Sequence, residues 1–170
     1  SLVVRLVDTG EARTLATGGP AEIWSPVWSP DGARLAFLRG DPVETSTLTV
    51  VPVLGGAERT LATVRPYPRR RSRMGHLLAW TPDGRSILAA DRETSGTGRL
   101  VRIGVDGGEH QPITTPPDGQ YDVEPSLSLD GRVLLFTRVR TEFLSDVYVQ
   151  ALDDAGLPRG EARALPGLRR

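Results

Sequence analysis

The sequence predicts an all-β fold made of repeated four-stranded antiparallel sheets, and two periodicities carry that expectation. The phrase Trp28-Ser29-Pro30-Asp31-Gly32 returns as Trp80-Thr81-Pro82-Asp83-Gly84 and, in degenerate form, as Leu127-Ser128-Leu129-Asp130-Gly131, so the Asp-Gly pairs lie 52 and then 47 residues apart. A second series, Gly10, Gly56 and Gly108, follows the segments Leu2 to Val7, Leu48 to Val53 and Leu100 to Val105 at one offset. Composition agrees: 19 Gly and 14 Pro in 170 residues suit short strands joined by many turns rather than helices.

Taken in order, residues 1–17 carry an alternating segment, a Gly turn and then Arg13-Thr14-Leu15-Ala16-Thr17, which Arg59-Thr60-Leu61-Ala62-Thr63 repeats letter for letter. They read as the outer strands of a unit that precedes the first complete one. That unit, 18–64, holds strand candidates near 25–29, 34–38, 47–53 and 58–62. The second, 65–115, repeats the order at 76–81, 86–90, 99–105 and 110–114, and the third, 116–170, at 123–128, 133–137, 146–152 and 162–165. Its third turn, Asp153-Asp154-Ala155-Gly156, replaces the Gly-Gly turns of the other two.

The recurring phrase is a hairpin device. Pro30 presets φ for the first turn position, Asp31 takes the second, and Gly32 supplies the left-handed residue; Asp83 with Gly84 and Asp130 with Gly131 repeat this. Leu129 stands where the other copies have Pro, which a type I turn accepts. The stretches Leu35-Ala36-Phe37, Ile87-Leu88-Ala89 and Leu134-Leu135-Phe136 follow at one offset and are continuously apolar, as strands covered on both faces are. Sheets of this size that each need a neighbour on both faces are the blades of a β-propeller, here a partial one of about three and a half blades.

At these anchors the chain resembles the TolB-like (WD40-like) propeller repeat. The phrases Gly55-Gly56-Ala57-Glu58-Arg59 and Leu78-Ala79-Trp80-Thr81-Pro82-Asp83-Gly84-Arg85 are similar to the propellers at the C-terminal end of bacterial winged-helix regulators and some Ser/Thr kinases. The resemblance implies a periplasmic or extracytoplasmic setting and a ring of roughly six or more blades. This chain then spans about half a ring and reads as a segment of something longer. Its open blade faces imply self-association or cover by another segment.

Charge and motif content narrow the function classes. Lys and Arg balance Asp and Glu at 21 each, which marks neither a nucleic-acid binder nor a membrane-surface protein. No apolar run approaches the roughly 18 residues of a membrane helix, and the first residues lack a signal peptide's basic start. Without cysteine there are no disulfides, thiolate metal sites or cysteine nucleophiles, and either cytoplasm or periplasm fits. No Gly-x-Ser-x-Gly occurs; Ser95-Gly96-Thr97-Gly98 has the wrong order for a nucleophile elbow and lacks the Lys-Ser/Thr of a phosphate loop. His76 and His110, the two histidines, fall at different places in their blades, and the pairs Asp122/Glu124 and Asp153/Asp154 read as solvated loop charge. No catalytic residue, metal or cofactor is expected.

Partner binding is the expectation that remains. Arg69, Arg70, Arg71 and Arg73, with Arg65 and Tyr67 beside them, form the densest charge, on a loop that shares one face with Tyr121 and a mixed-charge rim suited to protein or peptide recognition. Trp28 and Trp80, at matching repeat positions, read as packing residues, whereas Trp24 has no counterpart and reads as an exposed anchor for a partner. The functional expectation is a non-catalytic scaffold of a larger bacterial protein. The alternative is an accessory propeller gating a serine peptidase of the prolyl oligopeptidase kind whose catalytic domain lies elsewhere.

Overall fold

The computed structural model describes residues 1–66, 76–94, 96–107, 110–141 and 143–169. Its described residues form strands and turns without helix. A hairpin of β1 (Leu2–Arg5) and β2 (Ala12–Ala16) comes first. The first blade follows as β3 (Glu22–Trp28), β4 (Arg34–Gly40), β5 (Ser46–Pro52) and β6 (Arg59–Val64), each antiparallel to the next. The second comprises β7 (Leu78–Trp80), β8 (Ser86–Arg92), β9 (Gly98–Gly104) and β10 (Gln111–Pro112), and the third β11 (Tyr121–Leu127), β12 (Val133–Thr141), β13 (Leu144–Leu152) and β14 (Pro158–Arg169). A single parallel bridge, Tyr121 to Gly98, joins the second and third blades edge to edge.

The strand period explains the core. On β4, Leu35 and Phe37 face the β1–β2 hairpin in a cluster with Leu2, Ala16 and Val51. Ala36 and Leu38 point the other way, into the main cluster shared by the three blades with Ile87, Leu88, Leu134 and Phe136. β4 and β8 are therefore buried on both faces, as their continuous apolar sequence requires. β12 is not: Leu134 and Phe136 are buried, but Leu135, the counterpart of Ala36 and Leu88, is 38% exposed.

Strand lengths depart from expectation where proline intervenes. β10 is cut to two residues because Pro112 has no N–H for the ladder. There Ile113 N–H donates to the Leu100 carbonyl at 2.8 Å, and the Thr114 hydroxyl accepts from Leu100 N–H at 3.0 Å in place of a backbone partner. On β3 and β11 the register slips at Ser25-Pro26 and Glu124-Pro125. Ser25 (φ 51°) and Glu124 (φ 55°) are the non-glycine residues of positive φ among those described, so both inner strands carry a bulge at one repeat position.

The anchor closes the same way three times, and the residue that closes it is the hydroxyl before the Pro-Asp-Gly. Ser29 Oγ donates to Asp31 Oδ1 at 2.5 Å and accepts the Arg34 N–H at 2.9 Å, while Asp31 Oδ1 also accepts from Ala33 N–H at 3.0 Å. Thr81 with Asp83 and Ser128 with Asp130 reproduce each bond. Gly32, Gly84 and Gly131 have φ of 69°, 67° and 71°, and Gly131 N–H still reaches the Ser128 carbonyl at 2.9 Å although Leu129 has replaced proline. Asp153 does both jobs in the third turn of the last blade, accepting from Ala155 and Leu157 N–H.

Ser29→Ala leaves the Arg34 N–H without its acceptor and removes a donor to Asp31. The expected loss is about 1–3 kcal/mol in urea unfolding. Ser29→Thr is expected to be neutral within about 0.5 kcal/mol, because threonine occupies the position at 81. Equal losses from both substitutions would overturn this account.

Candidate functional site

The blades meet through a small set of cross-junction contacts, and comparing two junctions locates the candidate site. Between the first and second blades, the Arg34 guanidinium lies 4.9 Å over the Trp80 ring and donates through Nη2 to the Gly84 carbonyl at 3.1 Å. Trp80 Nε1 donates to the Val27 carbonyl at 3.3 Å, and Leu77 N–H to Ser25 Oγ at 2.9 Å. The junction is filled, and Trp80 is 7% exposed.

Between the second and third blades the same positions hold Ser86 for Arg34 and Leu127 for Trp80. A groove of about 370 Å³ opens there, on the face that carries the Asp-Gly hairpins. Leu88, Leu127 and Leu152 form its floor; Asp83, Asp130, Asp153 and Asp154 are at its rim. Arg102 keeps to one wall, donating from Nε to Ser86 Oγ at 3.1 Å and from Nη1 to the Ala155 carbonyl.

The opposite face holds the loops expected to bind a partner, and several of the charged residues there have partners of their own. Arg39 contacts Glu58 at 2.7 Å, Arg99 contacts Glu93, and Asp91 accepts from Arg65 N–H at 2.8 Å with His110 Nδ1 3.9 Å away. Arg65 is exposed and Tyr121 half-buried; a Cβ on Gly98 would sit 2.7 Å from the Tyr121 ring, so that close approach needs glycine. Tyr67, Arg69, Arg70, Arg71 and Arg73 lie outside the described residues. His76 is exposed at the start of the second blade's inner strand, separate from His110.

Three expectations change. Trp28, expected to pack like Trp80, is 52% exposed, because the β1–β2 hairpin covers only the outer half of the first blade and nothing described stands where Arg34 and Val27 stand against Trp80. Trp24, expected to be an exposed anchor, is half-buried against the main core cluster. Asp122 is not solvated: it is fully buried and receives Arg138 Nε and Nη2 at 2.7 and 2.8 Å, with Tyr148 and Phe136 beside the guanidinium at 4.5 and 5.5 Å. Burial pushes the Asp122 carboxyl above its usual range against the pull of Arg138, and Asp122 holds the Arg138 guanidinium more firmly protonated despite its own burial.

One link was missed in the sequence. Arg13 Nη1 donates to the Leu54 carbonyl at 2.6 Å, and Arg59, its repeat counterpart, reaches Asp106 at 3.8 Å; each ties an outer strand to the third turn of the next blade. The signal was available, since Gly10-Glu11-Ala12-Arg13-Thr14-Leu15 recurs as Gly160-Glu161-Ala162-Arg163-Ala164-Leu165. Arg163 is thus the third member of the series, on the last strand.

No protein-family model matches the chain. A curated protein of Bacillus subtilis, the uncharacterized peptidase YuxL, is 28% identical over 161 residues, which cover 74% of this chain and 23% of that protein. Among solved structures, a putative TolB from Agrobacterium tumefaciens superposes with a TM-score of 0.64 at 22% identity, covering 90% of this chain and 51% of that one. A prolyl endopeptidase gives 0.68 at 16% identity, covering 94% and 25%. The propeller domain of the Trilobed protease of Pyrococcus furiosus, described as having an open velcro topology, gives 0.58 at 14% identity, covering 96% and 48%. The fold is that of a TolB-like β-propeller, and the chain spans between about a quarter and a half of these proteins.

The turn carboxylates make the hairpins acid-sensitive. The Ser29 and Ser128 hydroxyls hold Asp31 and Asp130 below the usual carboxylate range; at Asp83 partial burial acts upward, but the Thr81 hydroxyl and the Arg85 N–H outweigh it. Folded values below the unfolded ones mean stability present above about pH 4 and lost as pH falls through the folded values. Carboxyl titration by NMR is expected to give midpoints for all three below about 3.9; midpoints at or above that value would contradict the hydrogen-bond assignment. Arg138→Met strands the buried Asp122 charge, with an expected cost of about 3–5 kcal/mol in chemical unfolding.

Proposed function

We propose that this chain is a non-catalytic propeller segment that serves a larger bacterial protein as a protein- or peptide-recognition scaffold. The observation that carries the proposal is where its titratable groups are used. The turn aspartates bind their own hairpins, Asp122 binds Arg138, and Arg39 and Arg99 are ion-paired with Glu58 and Glu93. Among the described residues no three of His, Asp or Glu converge as a metal would require. The likeness to TolB favours a periplasmic setting. No helix among the described residues is long and apolar enough to cross a membrane.

A second reading is favoured by the peptidase name of the curated relative and the prolyl endopeptidase among the structures: an accessory propeller that gates a serine peptidase domain outside this chain. Under either reading any catalytic nucleophile belongs to a domain other than this chain. Incubated with a fluorophosphonate serine-hydrolase probe and chromogenic peptides, it is expected to show neither labelling nor turnover. On an unbiased peptide array it is expected to retain a defined subset of sequences. Labelling or hydrolysis would overturn the non-catalytic reading, and an array without selective binding would overturn recognition.

A further inference from the structure

The groove between the second and third blades has a template inside the same molecule. One junction earlier, its space is taken by the Arg34 guanidinium, sandwiched between the Trp80 ring and the Gly84 carbonyl. Ser86 and Leu127 delete both large side chains, and Arg102, which stands where the first blade has Val50, comes in from the neighbouring strand to Ser86 and the Ala155 carbonyl without reaching the Gly131 carbonyl. Gly131 occupies the place of Gly84, with the same left-handed turn and with Pro82 against it as Pro30 lies against Gly84. Among the described residues no side chain donates to the Gly131 carbonyl, whereas its counterpart accepts from Arg34.

Charge points the same way. Asp83, Asp130, Asp153 and Asp154 surround the opening, against Arg102 on the wall and Arg132, which is drawn outward to Asp154 at 2.6 Å. With Arg85 beside Asp83 counted as well, four carboxylates to three guanidiniums leave the groove a net anion, with an apolar floor beneath. An ion-paired frame with a vacant acceptor and a greasy base suits a planar cation on an apolar stem better than a compact ammonium or an anion.

We propose that this groove binds an arginine side chain of a partner peptide, with an aromatic or aliphatic neighbour of that arginine resting on Leu88, Leu127 and Leu152. The arginine takes the place that Arg34 takes one junction earlier, donating to the Gly131 carbonyl between the hairpins of Asp83 and Asp130. The proposal goes beyond the recognition reading above, which names no site, and it places this site on the face opposite the rim loops.

The test is a titration of the full chain with the capped dipeptide N-acetyl-arginyl-tryptophan amide, followed by backbone amide shifts. Saturable shifts are expected in residues 81–84, 128–132 and 153–157, with the dipeptide carrying neutral citrulline in place of arginine at least tenfold weaker. Ser86→Arg restores the Arg34 counterpart and Leu127→Trp the Trp80 counterpart. Each refills the groove, so each folded variant is expected to lose the shifts, and the second serves if the first does not fold. Equal binding of the citrulline dipeptide, shifts confined to the rim loops, no saturable shift, or undiminished binding in a folded variant would overturn the site. Selective array binding that persists in such a case would leave the recognition reading standing.

Discussion

Each blade of this fold has two apolar faces, and every other feature depends on covering both. The constraint is visible on the second strand, where alternate residues serve different neighbours: Leu35 and Phe37 belong to one cluster, Ala36 and Leu38 to the other. A fully buried leucine or phenylalanine side chain contributes about 1.5–3 kcal/mol relative to an exposed one, so a blade covered on one side forgoes a large part of its stabilisation. Leu135 and Trp28 mark where cover stops, at the far face of the third blade and the inner half of the near face of the first.

The repeat made most of the architecture legible. Asp-Gly pairs at a fixed period imply hairpins at a fixed period, and the apolar runs after them imply stacking. What the sequence concealed was the division of labour within the phrase. Proline, aspartate and glycine are the conspicuous letters, yet Leu129 replaces proline without changing the turn, whereas a hydroxyl is present in all three copies and is the acceptor for the strand that follows. Trp24 and Trp28 were misplaced because burial of an indole depends on the blade before it, which no residue in its own blade reports. Asp122 looked like loop charge because its partner, Arg138, lies on the neighbouring strand and is recognisable only once the register is known.

The groove was hidden for a different reason. It is a property of what one junction lacks relative to another, and composition or motif searches register only what is present. Aligning the blades residue by residue exposes it, since Ser86 stands under Arg34 and Leu127 under Trp80. Repeat proteins offer this comparison without any relative, because each unit is a control for the next. The same alignment separates structural charge from available charge: an arginine that recurs at one offset and reaches the next blade, as Arg13 and Arg59 do, is part of the frame.

The close approach of Tyr121 to Gly98 has a mechanical side. It hydrogen-bonds the inner strand of the third blade to the second blade's sheet, so the two are continuous through the backbone as well as through side-chain packing. Between the first and second blades the main-chain link among the described residues is the Arg92 N–H to the Arg65 carbonyl at 2.8 Å, just beyond the end of β6, and no strand bridge forms. Opening the chain between its second and third blades therefore breaks a strand bridge, whereas opening it between the first and second breaks none among the described residues. In sheet terms the last two blades are one continuous hydrogen-bonded surface, and the first is a separate sheet held to it through the shared core.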